Sequence, residues 1–234
     1  MPVFLLSDKL AFPSPQLAEK EGLLAVGGDL SQRRLLLAYR MGIFPWFSEA
    51  EPILWWSPDP RLVLYPKELK VSKTLKKVIK KGLFNVTMDL AFSEVIHQCA
   101  QVRLENDEET WIVRDMIDAY CRLHESGYAH SVEAWYEGEL AGGLYGVSLG
   151  RCFFGESMFT RRSNASSVAL VHLVQYLEEL SFDMIDCQIT TVHLHRFGAR
   201  KISREQFLEQ LDKSLQLPTI KGKWVTQAAT NFHE

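Results

Sequence analysis

The chain of 234 residues is 47% hydrophobic and 24% charged, and its formal net charge is −3 at pH 7. These values are typical of a soluble globular protein with one large domain, or with a small domain packed on a larger one. They give no global sign of nucleic-acid binding, and no apolar stretch reaches the roughly 20 residues of a membrane span. Four cysteines without a C-x-x-C motif, behind an N-terminus without a secretory signal, predict reduced thiols in a cytoplasmic protein.

The first 66 residues predict a small aromatic-rich domain. An apolar run ends at Gly27-Gly28, which lacks the Lys-Ser/Thr of a phosphate loop and is predicted to form a turn. Ser31 is predicted to cap a helix that ends at Arg40, just before Gly42.

Large rings follow this helix at Trp46, Phe47, Trp55 and Trp56. The simplest interpretation is a core, because each ring buries a large area. Rings in proline-flanked loops are also suited to stack on an unpaired base, as in proteins that read single-stranded nucleic acid. The sequence leaves both interpretations open.

A lysine-rich segment follows, and Ser72 is predicted to cap a helix that ends at Gly82. Four lysines at three- and four-residue spacings share one face of this helix: Lys73, Lys76, Lys77 and Lys80. A one-signed stripe is either a solvated face or a contact for a phosphate backbone.

Another indole, Trp111, stands at the predicted start of a helix that ends at Gly127. Backbone N–H groups point outward at such a position, so the indole is either part of the core or placed beside a nucleotide. A strand over Asn85–Met88 and a helix from Phe92 to Cys99 are predicted before it.

The second half predicts an antiparallel meander, a helix from Asn164 to Leu180 and a strand that begins at Met184. Three glycines inside one strand of the meander, at positions 142, 143 and 146, indicate a bulge or a close backbone approach to a ligand. Ser203 and Gln206 predict a capping box for a last helix, and the tail after Pro218 is weakly patterned. The expected fold class is α+β with a mixed, mostly antiparallel sheet.

Polar residues inside two apolar strands are the main candidates for chemistry. Alternation places Asp186 and Gln188 on one face of the Met184 strand, and Glu156 on one face of F-F-G-E-S-M-F, together with Phe154 and Met158. Carboxylates are costly to bury in such strands unless they are paired, and neither strand contains a lysine or arginine. A cationic substrate would fit as the partner.

Other chemistries find little support in the sequence. His193 and His195 form H-x-H without cysteine or aspartate at metal-like spacing, so no metal site is expected. No G-x-S-x-G nucleophile elbow occurs, and Cys187 is interpreted as a small buried residue.

Taken together, the motifs resemble one family, the bacterial leucyl/phenylalanyl-tRNA–protein transferases. The matching segments, in order, are G-L-L-A-V-G-G-D-L at 22–30, G-I-F-P-W-F at 42–47, W-W-S-P-D-P-R at 55–61, T-W-I at 110–112, A-H-S-V-E at 129–133, G-G-L-Y-G-V at 142–147, G-E-S-M-F at 155–159, N-A-S at 164–166 and I-D-C-Q at 185–188.

The resemblance implies a small N-terminal domain over residues 1–66 and a larger domain over 67–234 with a core related to GNAT acetyltransferases. It implies transfer of Leu or Phe, and less readily Met, from aminoacyl-tRNA to the α-amine of proteins that begin with Arg or Lys. The product is thereby marked for degradation. A cytoplasmic monomer is expected, with no cofactor and no membrane.

Site residues are carried over from the resemblance position by position. Asp186 and Gln188 match the catalytic strand, Glu156 matches the carboxylate beside the acceptor amine, and Trp46 and Trp111 match the rings that hold the terminal adenosine. The pocket for the amino-acid side chain would be lined by Leu144, Phe153, Leu170, Leu173 and Ile185. Lys73, Lys76, Lys77 and Lys80 would contact the tRNA backbone.

Three positions depart from the family pattern: Glu109 stands before T-W-I, Ser167 follows N-A-S, and Phe197 precedes G-A. Two rival functions stay open. One is a CoA-dependent acyltransferase, although the loop T-R-R-S-N-A at 160–165 lacks the glycine of a pyrophosphate loop. The other is a tRNA-binding module without catalysis.

Overall fold

The computed structural model describes residues 3–106 and 110–225. The N-terminal part contains strands β1 (Phe4–Leu6), β2 (Leu23–Gly27), β3 (Phe44–Pro45) and β4 (Leu54–Trp56), with helix α1 (Gln32–Arg40) between β2 and β3. These strands form one sheet in the order β1-β2-β4-β3. The Ser31 side chain accepts a hydrogen bond from the backbone N–H of Arg34, which confirms the predicted cap of α1.

A larger sheet follows. Its strands are β5 (Arg61–Leu64), β6 (Asn85–Met88), β7 (Ala129–Tyr136), β8 (Glu139–Leu149), β9 (Cys152–Thr160), β10 (Met184–Gln188) and β11 (Arg200–Ile202). Their order is β11-β5-β10-β9-β8-β7-β6, and among the described residues β9 and β10 are the one parallel pair in this sheet. The expected α+β class with a mixed, mostly antiparallel sheet is confirmed.

Helices cover both faces of the larger sheet. They are α2 (Lys73–Lys80), α3 (Phe92–Glu105), α4 (Arg114–Glu125), α5 (Ala165–Glu179), α6 (Val192–Arg196) and α7 (Arg204–Leu215). Helices α3, α4 and α7 pack on one face together with α1, whereas α5 packs on the other with α2 beside it. The buried residues accordingly form two apolar clusters, one on each face.

The division of the chain at residue 66 stays a prediction. Strand β5, which lies before that boundary, pairs with β10 and β11 and therefore belongs to the larger sheet. In the part of the chain that the structure describes, no helix is long and apolar enough to cross a membrane.

Most of the predicted helix starts are confirmed. Ser72 caps α2, and Ser203 and Gln206 form the capping box of α7. Asn164 precedes α5 in a left-handed conformation, but its side chain makes no capping hydrogen bond. The prediction that Trp111 begins a helix is wrong, because α4 begins at Arg114 after an extended Val113.

The three glycines of β8 allow other segments of the same chain to approach the strand closely. A Cβ at Gly142 would lie 2.6 Å from the Ala165 Cβ at the start of α5, and one at Gly146 would lie 2.6 Å from the Phe153 ring. Helix α5 and the Phe153 ring can therefore pack directly on the sheet. A bulge, the other predicted use of these glycines, occurs between Tyr145 and Gly146.

Candidate active site

The candidate site forms where the parallel strands β9 and β10 separate. Their pairing ends at Asp186 opposite Phe154. Just beyond this point β9 contains the bulge against β8, where Tyr145 pairs with Ser157 and Gly146 with Gly155, so Glu156 is the extra residue. An extra residue reverses the alternation of side chains that follows it, so Met158 packs in the cluster on the α5 side of the sheet, whereas Phe154 belongs to the cluster on the other side. The prediction that Met158 and Phe154 share a face is therefore wrong.

Strand β10 is also irregular at this level. Its register against β5 shifts between Asp186 and Gln188, and Gln188 has a φ of +58°. A left-handed conformation is uncommon for a residue with a side chain and costs on the order of 1 kcal/mol or more. Hydrogen bonds to the carboxylates of Asp186 and Glu156 hold Gln188 in this conformation.

Asp186 is fully buried and binds Arg61, which is 1% exposed. The guanidinium donates from Nε to Oδ1 at 2.8 Å and from Nη2 to Oδ2 at 2.7 Å, and it lies between the rings of Phe44 and Phe207. This geometry is the strong bidentate form of an ion pair. The prediction that a cationic substrate pairs with Asp186 is therefore wrong, since the partner comes from β5 of the same chain.

Gln188 is tied to both carboxylates. Its backbone N–H donates to Oδ1 of Asp186 at 2.9 Å, and its side-chain Nε2 donates to Oε1 of Glu156 at 2.7 Å. Because the amide nitrogen faces a carboxylate, the amide oxygen is turned away from it and remains available as an acceptor. Strands β9 and β10, whose backbones no longer pair at this level, are thus connected by the hydrogen bond between Gln188 and Glu156.

Glu156 accepts two more hydrogen bonds from tyrosines. Tyr39 of α1 donates to Oε1 at 2.8 Å, Tyr120 of α4 donates to Oε2 at 3.0 Å, and the two hydroxyls contact each other. Burial raises the pKa of the Glu156 carboxyl from an ordinary 4.5 to about 7. Burial also raises the pKa of both tyrosines well above 10.0, so they remain protonated donors at neutral pH.

We call the face of the sheet that carries these groups the network face, defined by Arg61, Asp186, Gln188, Glu156, Tyr39 and Tyr120. Sequence reasoning missed Arg61 and both tyrosines as members of the site. Arg61 is the last residue of the W-W-S-P-D-P-R segment, so the motif was a usable signal. The tyrosines lie in ordinary helical stripes, and nothing in the local sequence distinguishes them from core residues.

The two indoles predicted to hold an adenosine are brought together. The rings of Trp46 and Trp111 meet edge to face with centroids 5.8 Å apart, and both are half-buried. Trp46 also contacts Trp56, and the Arg103 guanidinium lies 3.9 Å from the Trp111 ring centroid. In contrast, Trp55 is fully buried and donates from Nε1 to the Gly27 carbonyl, as expected of a core ring.

Comparisons with known proteins identify the family of the chain. A family model described as leucyl/phenylalanyl-tRNA protein transferase matches residues 63–212, and a model of the N-terminal domain of the same family matches residues 28–59. The chain belongs to the leucyl/phenylalanyl-tRNA protein transferase family. The predicted family and the predicted enzyme class, aminoacyltransferase, are confirmed.

Relatives in this family match nearly the whole chain. A leucyl/phenylalanyl-tRNA–protein transferase of Syntrophobacter fumaroxidans is 63% identical over 215 residues, which cover 92% of each chain. The protein of the same name from Desulfatibacillum aliphaticivorans is 58% identical over 96% of each chain.

Comparison with solved structures gives low-scoring matches, including the following two. The structure of L-PGS from Bacillus licheniformis is 10% identical, has a TM-score of 0.41, and covers 72% of this chain and 53% of its own. The C-terminal domain of a putative lysylphosphatidylglycerol synthetase from Agrobacterium fabrum is 11% identical and has a TM-score of 0.40. The match covers 81% of this chain and 57% of that domain's chain.

The five residues expected to line the transferase's side-chain pocket lie on the opposite face of the sheet from the network. We call this side the α5 face. Leu144, Phe153, Leu170, Leu173 and Ile185 all belong to one apolar cluster there, and each is no more than 4% exposed. The structure therefore groups these residues, whereas two surface grooves lie elsewhere, near the edge strand β6 and near Asp89.

The lysine stripe of the transferase forms as predicted on α2. Lys73, Lys76, Lys77 and Lys80 are exposed, and Leu75 is buried on the other side of the helix. The stripe thus lies on the protein surface beside α5.

The remaining candidates are located as follows. His193 and His195 lie on α6, and in the described residues no three His, Cys, Asp or Glu side chains are grouped as a metal would require. Cys187 is buried, and burial raises the pKa of its thiol. Of the departures from the family pattern, Phe197 is buried on the α5 face, Ser167 lies in the first turn of α5, and Glu109 lies outside the described residues.

Proposed function

We propose that the protein transfers Leu or Phe, and less readily Met, from aminoacyl-tRNA to the α-amine of proteins that begin with Arg or Lys. The observation that carries this proposal is Gln188, held in a strained conformation between Asp186 and Glu156 where two strands separate. The names of its relatives, leucyl/phenylalanyl-tRNA–protein transferases, support Leu and Phe as the transferred groups and a protein as the acceptor, whereas Met and the N-terminal Arg or Lys are part of the proposal.

The reaction is the attack of an amine on an ester. The amine nitrogen bonds to the carbonyl carbon, the bond from that carbon to the ribose oxygen breaks, and the proton lost by the amine ends on the ribose oxygen. The ester is already activated, and an α-amine with a pKa of about 7.7–8.0 is partly neutral at pH 7. Positioning the two reactants is therefore the main task, and its effect reaches roughly 7–11 kcal/mol at best.

Gln188 is assigned the role of aiming the nucleophile. Its Nε2 is engaged by Glu156, so its amide oxygen accepts a hydrogen bond from the attacking amine and turns the nitrogen lone pair toward the ester carbon. Asp186 holds the backbone of Gln188, and Arg61 holds Asp186. A group supported at both ends stays in one geometry, which is what positioning requires.

Glu156 is assigned to the cationic acceptor. It is 8% exposed, and it shares a hydrogen bond with the residue that aims the amine. When ionised, its charge favours an arginine or lysine side chain near the attacking amine, and it acts strongly because the site is largely buried. The pair Tyr39 and Tyr120 keeps the carboxyl group oriented.

The aminoacyl-tRNA is assigned to three surfaces. The terminal adenosine would stack on Trp46 and Trp111, whose rings adjoin each other at the surface of the network face. The lysines of α2 would contact the acceptor-stem phosphates as point charges. The apolar residues of the α5 face would receive the amino-acid side chain, and an apolar pocket separates Leu from Met only weakly.

The cellular consequences follow from the same proposal. A protein with a new N-terminal Leu or Phe would be marked for degradation, and the reaction would take place in the cytoplasm, where charged tRNA is used. We expect the protein to act as a monomer.

The experiment is transfer of labelled Phe from purified Phe-tRNA to a peptide that begins with Arg, beside the same peptide with an acetylated N-terminus. Transfer to the free amine alone supports the reaction and its nucleophile. If neither peptide is labelled while intact Phe-tRNA is bound, the protein is a tRNA-binding module. Turnover of acetyl-CoA would instead support an acyltransferase that uses CoA.

A second measurement tests the role of Gln188. Gln188→Ala removes the acceptor of the amine hydrogen bond, while Glu156 keeps its hydrogen bonds from Tyr39 and Tyr120, so we expect kcat to fall by about 100-fold with little change in KM. Circular dichroism would show that the variant is folded. A kcat near that of the wild type would remove Gln188 from the mechanism.

A further inference from the structure

The segment after α7 crosses the end of the larger sheet, and we call residues 217–225 the C-terminal strap. The Gly150 backbone N–H, at the β8–β9 turn, donates to the Thr219 hydroxyl at 2.9 Å. The Lys221 ammonium lies 4.5 Å from the Tyr128 ring centroid. Gly127 and Gly222 are so close that a Cβ on Gly127 would overlap the strap backbone. The strap is therefore fastened along its length.

The last of the contacts that hold the strap is a hydrogen bond to the buried carboxylate of Asp89. Asp89, 2% exposed, accepts a hydrogen bond from the Trp224 backbone N–H at 2.7 Å. The same carboxylate accepts from the Ser131 backbone N–H at 2.9 Å and lies 2.8 Å from Nδ1 of His130. The Asp89 carboxylate, in the connection between β6 and α3, thus holds the backbone of the strap at Trp224.

The side chain at that position is a tryptophan that is 2% exposed on the α5 face. Its ring stacks on His130, with centroids 3.7 Å apart and planes 5° apart. The rings of Phe153, Tyr176 and Phe182 surround it at centroid distances of 5.8, 5.3 and 6.2 Å. Its Nε1 has no hydrogen-bond partner in the described structure, so the indole contributes bulk and not a donor.

Phe153 connects this indole to the expected pocket. It is one of the five residues expected to line the pocket, and it pairs with Ile185, another of them, across β9 and β10. The Phe153 ring lies directly against Gly146 on one side, where even a methyl group would collide with it, and beside Trp224 on another. Close-packed rings transmit a change of volume to their neighbours, so the position of Phe153 depends on Trp224.

We propose that Trp224 is a positioning residue that sets the depth of the amino-acid side-chain pocket through Phe153. This inference rests on the proposed function, because it assigns the strap a part in the choice between aminoacyl groups. Removing the indole gives the Phe153 ring room to retreat, and a retreating ring deepens the pocket. A deeper pocket favours the larger of two apolar side chains.

The test measures kcat/KM for Phe-tRNA and for Leu-tRNA with the same Arg-initiated peptide, for the full chain and for Trp224→Leu. The readout is the ratio of the two values within one enzyme preparation, which does not depend on the folded fraction of that preparation. We expect Trp224→Leu to raise the ratio of Phe to Leu by at least about threefold. The matched control is Trp135→Leu, which changes an indole at the β6–β7 edge whose Nε1 donates to Thr87.

Each result has one consequence. A raised ratio in Trp224→Leu with an unchanged ratio in Trp135→Leu supports the proposal, whereas equal ratios in the wild type and Trp224→Leu overturn it. If Trp224→Leu does not fold, Trp224→Phe decides in the same way, with a smaller expected rise. Failure of the wild type to transfer either amino acid would contradict the proposed function itself, and this result is obtained before any variant is compared.

Discussion

The two faces of the larger sheet use the same strands for different chemistry. On the network face, Arg61 and Asp186 form a buried ion pair, and Glu156 is bound by two tyrosines and Gln188. On the α5 face, Ile185, next to Asp186 in β10, belongs to a cluster of buried apolar side chains. Because alternate residues of a strand point to opposite faces, β10 contributes to both.

This difference indicates that the two faces of the sheet have separate roles in the proposed reaction. Groups that aim an amine need fixed polar contacts, whereas a pocket for Leu or Phe needs apolar surface and the right volume. Changes on the network face should therefore lower the rate or the stability, and changes on the α5 side should alter the choice of substrate or its binding. Three measurements can break or sharpen this contrast.

The largest effect is expected from Arg61→Met. This change leaves the Asp186 carboxylate buried without its partner, so the free energy of unfolding should fall by about 3–5 kcal/mol. Urea unfolding at pH 7 measures it. The matched control is Arg200→Met, because Arg200 and its partner Glu68 are 51% and 46% exposed, and loss of an exposed pair costs about 1 kcal/mol or less. Equal costs for the two variants would contradict a special role for the network.

The next effect is a pH dependence of stability from Glu156. Its folded pKa of about 7 lies above its ordinary 4.5, so the folded state holds this proton more tightly than the unfolded state. The contribution to stability is complete below about pH 4.5, is lost as pH rises toward 7, and amounts to about 3 kcal/mol.

Glu156→Gln provides the comparison, since it keeps the shape and cannot ionise. Unfolding free energies of both proteins measured from pH 5 to pH 8 should differ in slope, with the steeper fall in the wild type. Parallel curves would show that the folded-state pKa of Glu156 is not raised, because the hydrogen bonds from Tyr39, Tyr120 and Gln188 offset the effect of burial.

The smallest effect is expected at the lysine stripe beside the α5 face. Lys76→Gln should weaken tRNA binding and reduce the slope of log Kd against log salt by about 1, because one phosphate contact is lost. Lys213→Gln, an exposed lysine on α7 across the sheet, is the control. If the two variants have the same slope, the RNA backbone does not follow α2.

Much of the local structure could be predicted from the sequence. Ser31, Ser72 and Ser203 cap helices because a short side-chain oxygen next to an apolar period is sufficient for that role. The exposed lysines of α2 follow from helical spacing alone. Irregular positions are less predictable: α4 begins at Arg114, three residues after the predicted start at Trp111, and the bulge at Glu156 reverses the expected face of Met158.

The sequence by itself therefore determined the family, the α+β class, and the strand residues Glu156, Asp186 and Gln188 as the candidates for chemistry. Tertiary structure alone decided what those residues bind. Arg61 is 125 positions from Asp186, and Tyr39 is 117 from Glu156, so each contact is made by strand pairing or helix packing between distant segments. Periodicity and capping are local and are visible in a short window, whereas the partner of a buried charge depends on which distant segment packs beside it.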